Sequence, residues 1–495
     1  MNVCELLCRH EATFRAKPVV TWAGAGVGYA AFTAEASGLA QELRRRGIRR
    51  GDRVVLLATN KPSWLTTFFA VAAVGAVLVP VNPDLTAPEV AYIVDHCQPS
   101  LVFCDDGLRR LLPPLPAGTA VLPVGPADAA GPEPFAWEAM AADDPLAIFY
   151  TSGTTGRPKG VVITHGNETF AAPMWSGHLR ITPDDAALVV GPLAFIFPLI
   201  LNGLTSLCGG ATLVLLDRFH PQAAYEAIVR HGVTVMMGVP TMYIMLHGWA
   251  EGRALAPHRL RLCVSGGASL SWNFATAFKE RFGVPLQDLW GLTEGTPMTS
   301  YDPAVEPDGH PGSCGRPLPG CEVRIIDGDG AFLPAGGIGE VVARGRNVMA
   351  GYYRNPEATA QTLVDGWLRT GDLGRFDEEG RLYIVGRKKD VIIRAGTNIY
   401  PAEIENVLFR HPAVAECAVV GQPDAVLGES VSAFLVLREG EAAAPEALAA
   451  FCAGRLADYK VPASFAVVDS LPKGPTGKIL KRKLVRAAES PAGAA

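Results

Sequence analysis

From Arg53 onward, short apolar runs alternate with amphipathic stretches. Arg53–Ala58, Val77–Val81 and Leu101–Cys104 are too short for helices and predict buried strands. Between them, Pro62–Gly75 predicts a helix with proline in its first turn, and Ala87–His96 a helix with Val90, Ile93 and Val94 on one face. The alternation returns with helix His220–His231, strand Thr234–Gly238, helix Thr241–Trp249, strand Leu260–Ser265, helix Ser271–Phe282 and strand Val284–Trp290. Such alternation predicts right-handed βαβ units on largely parallel sheets, here two layered sets of similar build. From about Pro311 the pattern changes. Glu322–Ile326, Gly339–Ala343 and Arg381–Val385 predict short strands between Gly, Pro and Asp turns, a small β-rich subdomain. After the charged break Gly386–Asp390 come helix Pro401–Phe409, strands Val414–Val420 and Val431–Val436, and helix Pro445–Leu456. The expected fold class is α/β: a large N-terminal domain of two βαβ-type layered sheets plus a small β subdomain, residues 1–386, and a small mobile α+β C-terminal domain, residues 387–495. Pro113–Pro134, rich in Pro, Gly and Ala, reads as a surface connection.

At 495 residues the chain is too long for one core, and 49% hydrophobic against 19% charged residues fits a large folded interior. A net charge of −5 gives no footprint for nucleic acid and argues against gripping acidic lipid. Ten cysteines without a C-x-x-C pair read as free thiols in a reducing cytosol, not as a zinc site. The apolar runs Trp64–Val81 and Leu188–Leu204 carry Gly75, and Gly191, Pro192 and Pro198, so core or pocket wall is expected in place of a membrane span. The N-terminus lacks an apolar signal core, and a cytoplasmic protein is expected, monomer or homodimer. The chain runs 17 residues past Lys478, so a thiol acceptor is expected to come from outside.

The strongest chemical signal is Tyr150–Gly160, Y-T-S-G-T-T-G-R-P-K-G, after the apolar Leu146–Phe149. Gly153, Gly156 and Gly160 permit close backbone approach, Thr151, Ser152, Thr154 and Thr155 supply hydroxyls, and Arg157 and Lys159 supply charge, a set suited to polyphosphate. It is not a Walker loop, because Lys159 is followed by Gly160 and not by Ser or Thr. A solvated Gly/Thr hairpin would account for the segment if it stood alone.

At this loop the chain resembles the adenylate-forming superfamily of acyl-CoA synthetases, carrier-dependent adenylation domains and luciferases. The likeness runs from Gly28–Tyr29 to Lys478, with several motifs in the family's order. Thr370-Gly371-Asp372 matches a triplet whose Asp binds the ribose hydroxyls, which implies that role for Asp372; alone it is a turn. Ser265–Leu270, S-G-G-A-S-L, implies a wall of Gly266, Gly267 and Ala268 against adenine and the acyl chain. In Asp288–Glu294, D-L-W-G-L-T-E, the resemblance implies Asp288 near the adenine amino group, Trp290 (usually Tyr) stacking on adenine beside Gly291, Thr293 at the α-phosphate, and Glu294 as catalytic ligand to Mg2+. Gly386–Asp390 matches the hinge motif, with Arg387 toward ribose and phosphate and Lys389 as pivot. Gly396–Glu405 matches the segment that swings toward the thiol acceptor. Asn398 stands where carrier-dependent domains often have Arg, which leans toward coenzyme A. Pro472–Ile479 implies that Lys478 is the adenylation lysine; otherwise it belongs to a basic, solvated stretch.

Gly191–Gly203 sits where relatives carry a pocket motif. Phe195, Phe197, Met237, Tyr243 and Gly266 suggest an apolar acyl pocket, and no Asp or Glu in Gly191–Gly203 meets an ammonium group. The resemblance thus implies an ATP- and Mg2+-dependent ligase that forms an acyl-adenylate and then a coenzyme A thioester. A medium- or long-chain fatty acid leads, with an aryl or alicyclic acid close behind. The rivals are transfer to a carrier-protein thiol in trans, a luciferase-like oxygenase, a phosphate-loop kinase and an inactive ligand-binding relative.

Overall fold

The computed structural model describes residues 1–127, 135–151, 158–424, 426–438, 440–473 and 479–489. Two seven-stranded sheets organise the N-terminal part. One runs, in spatial order, Gly351–Tyr352, Lys159–Thr164, Pro145–Thr151, Val77–Val81, Arg53–Leu57, Leu101–Cys104 and Ala120–Pro123. Its last five strands are parallel, and the two at the opposite edge add antiparallel. The other runs Leu286–Asp288, Leu262–Ser265, Val235–Gly238, Ala186–Val189, Thr212–Leu215, Pro18–Trp22 and Ala25–Gly28, parallel except for its final hairpin. Parallel strands are covered on both faces, which is why Val77–Val81 and Val235–Gly238 are buried at every position and read as unbroken apolar runs.

The two long apolar runs resolve as interior. Trp64–Val81 is the end of helix Pro62–Ala73, buried from Ser63 onward, and strand Val77–Val81, joined through Gly75 at φ +69°. Leu188–Leu204 is the end of strand Ala186–Val189 and a wide π-helical stretch, Phe197–Leu204. Among the described residues no helix is long and apolar enough to cross a membrane.

Three expectations are corrected. Strand Val284–Trp290 is cut at Leu289: Leu286–Asp288 ends the second large sheet, and Trp290–Leu292 starts a three-stranded sheet with Thr296–Ser300 and Arg316–Pro317. The Leu289 N–H still donates to the Ser265 carbonyl at 2.9 Å, the last rung of the parallel ladder, and the chain then leaves this sheet for the next. Pro113–Pro134 is not only a connection, since Ala120–Pro123 pairs in parallel with Leu101–Cys104. The β-rich region is two sheets, the second being Cys321–Ile326, Gly339–Gly345, Trp367–Phe376 and Leu363–Val364, with Leu382–Arg387 alongside Trp367–Phe376.

After the short 3-10 turn Lys388–Asp390, a five-stranded sheet and helices Pro401–Leu408 and Pro445–Ala453 enclose a separate apolar core that begins at Ile392.

Helix His165–His178 opens with a reciprocal cap between Thr164 and Asn167, yet buries two titratable groups. His165 Nδ1 accepts the Val3 N–H at 3.2 Å, and burial pushes its ring down to about 4. Glu168 is fully buried with neither carboxylate oxygen hydrogen-bonded, and burial pushes it up to about 8 from 4.5. Between those two values the folded chain holds a proton that the unfolded chain has released, so stability falls as pH rises. His165 acts oppositely, but only between about 4 and 6.5. From pH 6.5 to 8, therefore, wild-type unfolding free energy should fall with a slope that Glu168→Gln reduces by up to about 1.4 kcal/mol per pH unit. Denaturant titrations across that range check it, and equal slopes for the two proteins would refute a desolvated carboxyl.

Candidate active site

Strands Pro145–Thr151 and Lys159–Thr164 pair antiparallel, with Tyr150 opposite Gly160 and Thr151 opposite Lys159. They bring the two flanks of the Thr/Ser/Gly loop together. Ser152, Gly153, Thr154, Thr155 and Gly156 themselves, like Lys478, lie outside the described residues. Both flanks are anchored to one helix: Tyr92 Oη donates to the Pro158 carbonyl at 3.0 Å, and His96 Nδ1 lies 2.8 Å from Tyr150 Oη. A Cβ on Gly160 would lie 2.7 Å from Ile148 Cγ2 and 3.3 Å from Tyr150 Cζ, so the close pairing requires glycine there.

The Lys159 ammonium sits 4.7 Å from the centre of the Tyr352 ring, and Tyr352 Oη donates to Glu294 Oε1 at 2.9 Å. A cation from the loop flank and the carboxylate of D-L-W-G-L-T-E thus meet through one tyrosine. Burial, and next the adjacent Glu294, raises the Tyr352 hydroxyl above its ordinary range and keeps it a donor. Sequence reasoning missed Tyr352. Its G-Y-Y setting carries no chemical cue, and only the pairing of Gly351–Tyr352 with Lys159–Thr164 brings it here.

The turn after strand Leu262–Ser265 leaves Gly267 and Ala268 exposed, with Gly267 at φ +86°. Gly266 is buried beneath, where a Cβ would come within 2.9 Å of Leu289. Asp288 Oδ1 accepts the Leu289 N–H at 3.1 Å, and burial raises its carboxyl well above the usual range. At Gly291 a Cβ would stand 2.2 Å from the Thr296 carbonyl oxygen. Thr293 and Glu294 are half-buried.

Three predicted residues from separate segments converge. Trp290 Nε1 donates to Asp372 Oδ2 at 2.9 Å, and Arg387 Nε lies 3.2 Å from Asp372 Oδ1. Asp372 and Arg387 are partners in the register of strands Trp367–Phe376 and Leu382–Arg387. Asp372 is 8% exposed, so its charge is held by these two donors. The Trp290 indole, 7% exposed, gives its only donor to that carboxylate. Lys389 lies two residues beyond Arg387 in the 3-10 turn, and partial burial, then Arg387, holds its ammonium below the ordinary lysine range.

Of the pocket candidates, half-buried Phe197 packs on the core that contains Met237, and Phe195 is also half-buried. Tyr243 is corrected. It is fully buried in the other core, edge-on to Phe278 at 5.3 Å, with its hydroxyl 2.8 Å and 3.0 Å from the Met236 and Val264 carbonyls. It braces the sheet face opposite to Met237. Among the described residues no group of three or more His, Cys, Asp or Glu side chains could hold a metal.

Because Asp372 Oδ2 has the Trp290 N–H, Trp290→Phe should lower stability by about 2 kcal/mol, read by denaturant titration. An unchanged midpoint would mean that this bond does not hold the carboxylate.

Comparison with known proteins agrees over nearly the whole chain. Residues 8–353 match the AMP-binding enzyme model, and residues 403–478 the AMP-binding enzyme C-terminal domain. A feruloyl-CoA synthase from Amycolatopsis is 37% identical over 94% of each chain. A long-chain-fatty-acid–CoA ligase from Bacillus subtilis is 32% identical over 97% of this chain and 93% of its own. ATP-bound MatB from Rhodopseudomonas palustris superposes with a TM-score of 0.89 at 31% identity over 99% of both chains, and the apo form of the same protein with 0.81 at the same identity and coverage. The chain belongs to the AMP-binding enzyme family.

Proposed function

We propose that the protein is an AMP-forming acid–thiol ligase that activates an apolar carboxylic acid as an acyl-adenylate and transfers the acyl group to coenzyme A. The observation that carries this is the convergence of Trp290, Asp372 and Arg387 beside the Lys159–Tyr352–Glu294 chain. It sets a buried carboxylate for sugar hydroxyls near cations for phosphate.

A carboxylate does not react with a thiol at neutral pH, because its leaving group would be oxide. Attack of its oxygen on the α-phosphate of ATP forms the acyl–phosphate bond and releases pyrophosphate, which makes AMP the later leaving group. Two anions must meet, so catalysis is charge neutralisation and positioning, and no general base is needed. Asp372 would receive the ribose hydroxyls, Arg387 and Thr293 would approach the phosphate, and Lys159 with the Thr/Ser/Gly loop would face the β and γ phosphates. Lys478 would bridge the carboxylate and the α-phosphate. Glu294, a single carboxylate with one oxygen held by Tyr352, fits Mg2+, which keeps waters and substrate oxygens as its other ligands. When bound, the ion neutralises phosphate charge.

In the second step the thiol attacks the acyl carbonyl and AMP leaves. Lys478 would then obstruct the approach. We place the domain boundary after Gly386, with the C-terminal part rotating about Lys389 to withdraw Lys478 and present Gly396–Tyr400. Asn398 favours coenzyme A over a carrier thiol.

For the acid, the half-buried Phe195 and Phe197 support an apolar substrate. We infer an aryl acid ahead of a fatty acid, a reading supported by the 37%-identical relative named for feruloyl-CoA. The fatty-acid reading keeps the support of the 32%-identical relative.

Carboxylate-dependent pyrophosphate release should be strongest with cinnamic-type acids in a panel that includes benzoates and medium- and long-chain fatty acids, and the thioester should appear only with coenzyme A. A panel without any acid-dependent release would refute the ligase. Lys478→Ala should lower adenylate formation by about a hundredfold or more, measured by ATP–pyrophosphate exchange. Lys389→Pro should slow thioester formation roughly tenfold or more while sparing that exchange; equal effects on both steps would argue against a pivot there.

A further inference from the structure

Glu340 is the second residue of strand Gly339–Gly345 and is 9% exposed. No motif includes it, yet it reaches both segments that supply the Asp372–Arg387 pair. Its Oε1 accepts the Gly371 N–H at 3.3 Å, and its Oε2 accepts Lys388 Nζ at 3.2 Å, with Arg369 Nη1 3.7 Å away. Gly371 directly precedes Asp372, and Lys388 directly follows Arg387. The register allows the reach, since Glu340 pairs with Leu373, and Leu373 with Gly386 on the next strand.

The turn at Thr370–Asp372 needs such a tie. Gly371 is at φ +69° and has no side chain to pack, so it is the loosest point beside Asp372. Thr370 Oγ1 donates to the Val341 carbonyl at 2.6 Å and accepts the Asp372 N–H at 3.1 Å, which steadies one side of the turn. Glu340 steadies the other, and at the same time holds the end of strand Leu382–Arg387. Lys388 is 67% exposed, so the ion pair alone is weak, and the bond to the Gly371 N–H within a mostly buried carboxylate is the stronger arm.

We propose that Glu340 is a positioning residue that aims Asp372 at the ribose of the nucleotide by clamping Gly371 and Lys388 together. The proposal rests on the ribose-binding role given to Asp372 above. Its contacts run to Gly371, Lys388 and Arg369, so it would act through Asp372. Its effect should appear as sugar discrimination and not as phosphate affinity. A residue that merely supports the fold would weaken all nucleotide ligands together.

Isothermal titration of the full chain with ATP, 2′,3′-dideoxyATP and pyrophosphate separates these cases. The wild-type protein is expected to prefer ATP over the dideoxy analogue. Glu340→Gln should shrink that preference about fivefold and leave pyrophosphate affinity unchanged. Lys388→Met, which alters one exposed arm and carries the test if Glu340→Gln does not fold, should shrink it about twofold. The proposal is overturned if both variants keep the wild-type preference, or if ATP, the analogue and pyrophosphate weaken in parallel. It is also overturned if the wild-type protein shows no preference, because Asp372 then has no sugar to receive. Ligase activity is judged separately, by acid-dependent pyrophosphate release.

Discussion

A carboxylate that is 8% exposed must find its compensation within the protein, and for Asp372 it comes from two directions. The indole N–H of Trp290 arrives from a three-stranded sheet, and the guanidinium of Arg387 from the neighbouring strand of a five-stranded one. Leaving a buried charge unpaired costs several kcal/mol, so these two small sheets are held to one relative placement. Two residues beyond strand Trp290–Leu292, Glu294 meets Tyr352, and Tyr352 meets Lys159 at the edge of the first large sheet, so the same three-stranded sheet also reaches the loop flank.

The large sheets contribute differently. Their parallel strands are covered on both faces and carry almost no polar side chains, so chemistry is confined to strand ends and the turns beyond them. Thr151, Gly266–Ala268 and Asp288 all stand at such ends. The glycines there follow the same logic. At Gly266, just past a strand end, and at Gly160 and Gly291, inside short strands, a single added carbon would meet a neighbouring strand or side chain, so close approach is built into these segments.

What was legible in the sequence follows from which forces are local. Val77–Val81 and Val235–Gly238 could be recognised because burial on both faces forces an unbroken apolar run. The motifs singled out Trp290, Asp372 and Arg387 because each carries a recognisable residue pattern, and their side chains meet in the structure. The break at Leu289 was not legible: Trp290–Leu292 leaves the large sheet to pair with Thr296–Ser300, a change of sheet inside one apolar run that no local pattern marks. Tyr243 was misplaced because adjacent strand residues face opposite ways. Met236 packs in one core and Met237 in the other, and nothing local tells which side a following helix covers. Glu168 carries no sequence mark of burial, yet it is fully buried with neither carboxylate oxygen hydrogen-bonded. Tyr352 and Glu340 act across strand pairings between distant segments, and a lone aromatic or carboxylate gives no sign of that. The loop 152–157 and Lys478 carry family motifs but lie outside the described residues.

The proposed pivot at Lys389 lies just beyond these bonds. Asp372, Arg387, Glu340 and Lys388 all precede Lys389, and a separate apolar core begins at Ile392. The groups proposed to hold the nucleotide therefore precede the proposed pivot, while Lys478, proposed to act on the reacting atoms, follows it. A two-step reaction needs that division. The cation that joins two anions must be withdrawn before a thiol can approach, yet the adenylate must not be lost. If holding and reacting groups moved together, withdrawal would release the intermediate. With the proposed holding groups anchored before the proposed pivot, withdrawal of the lysine would leave sugar and phosphate bound.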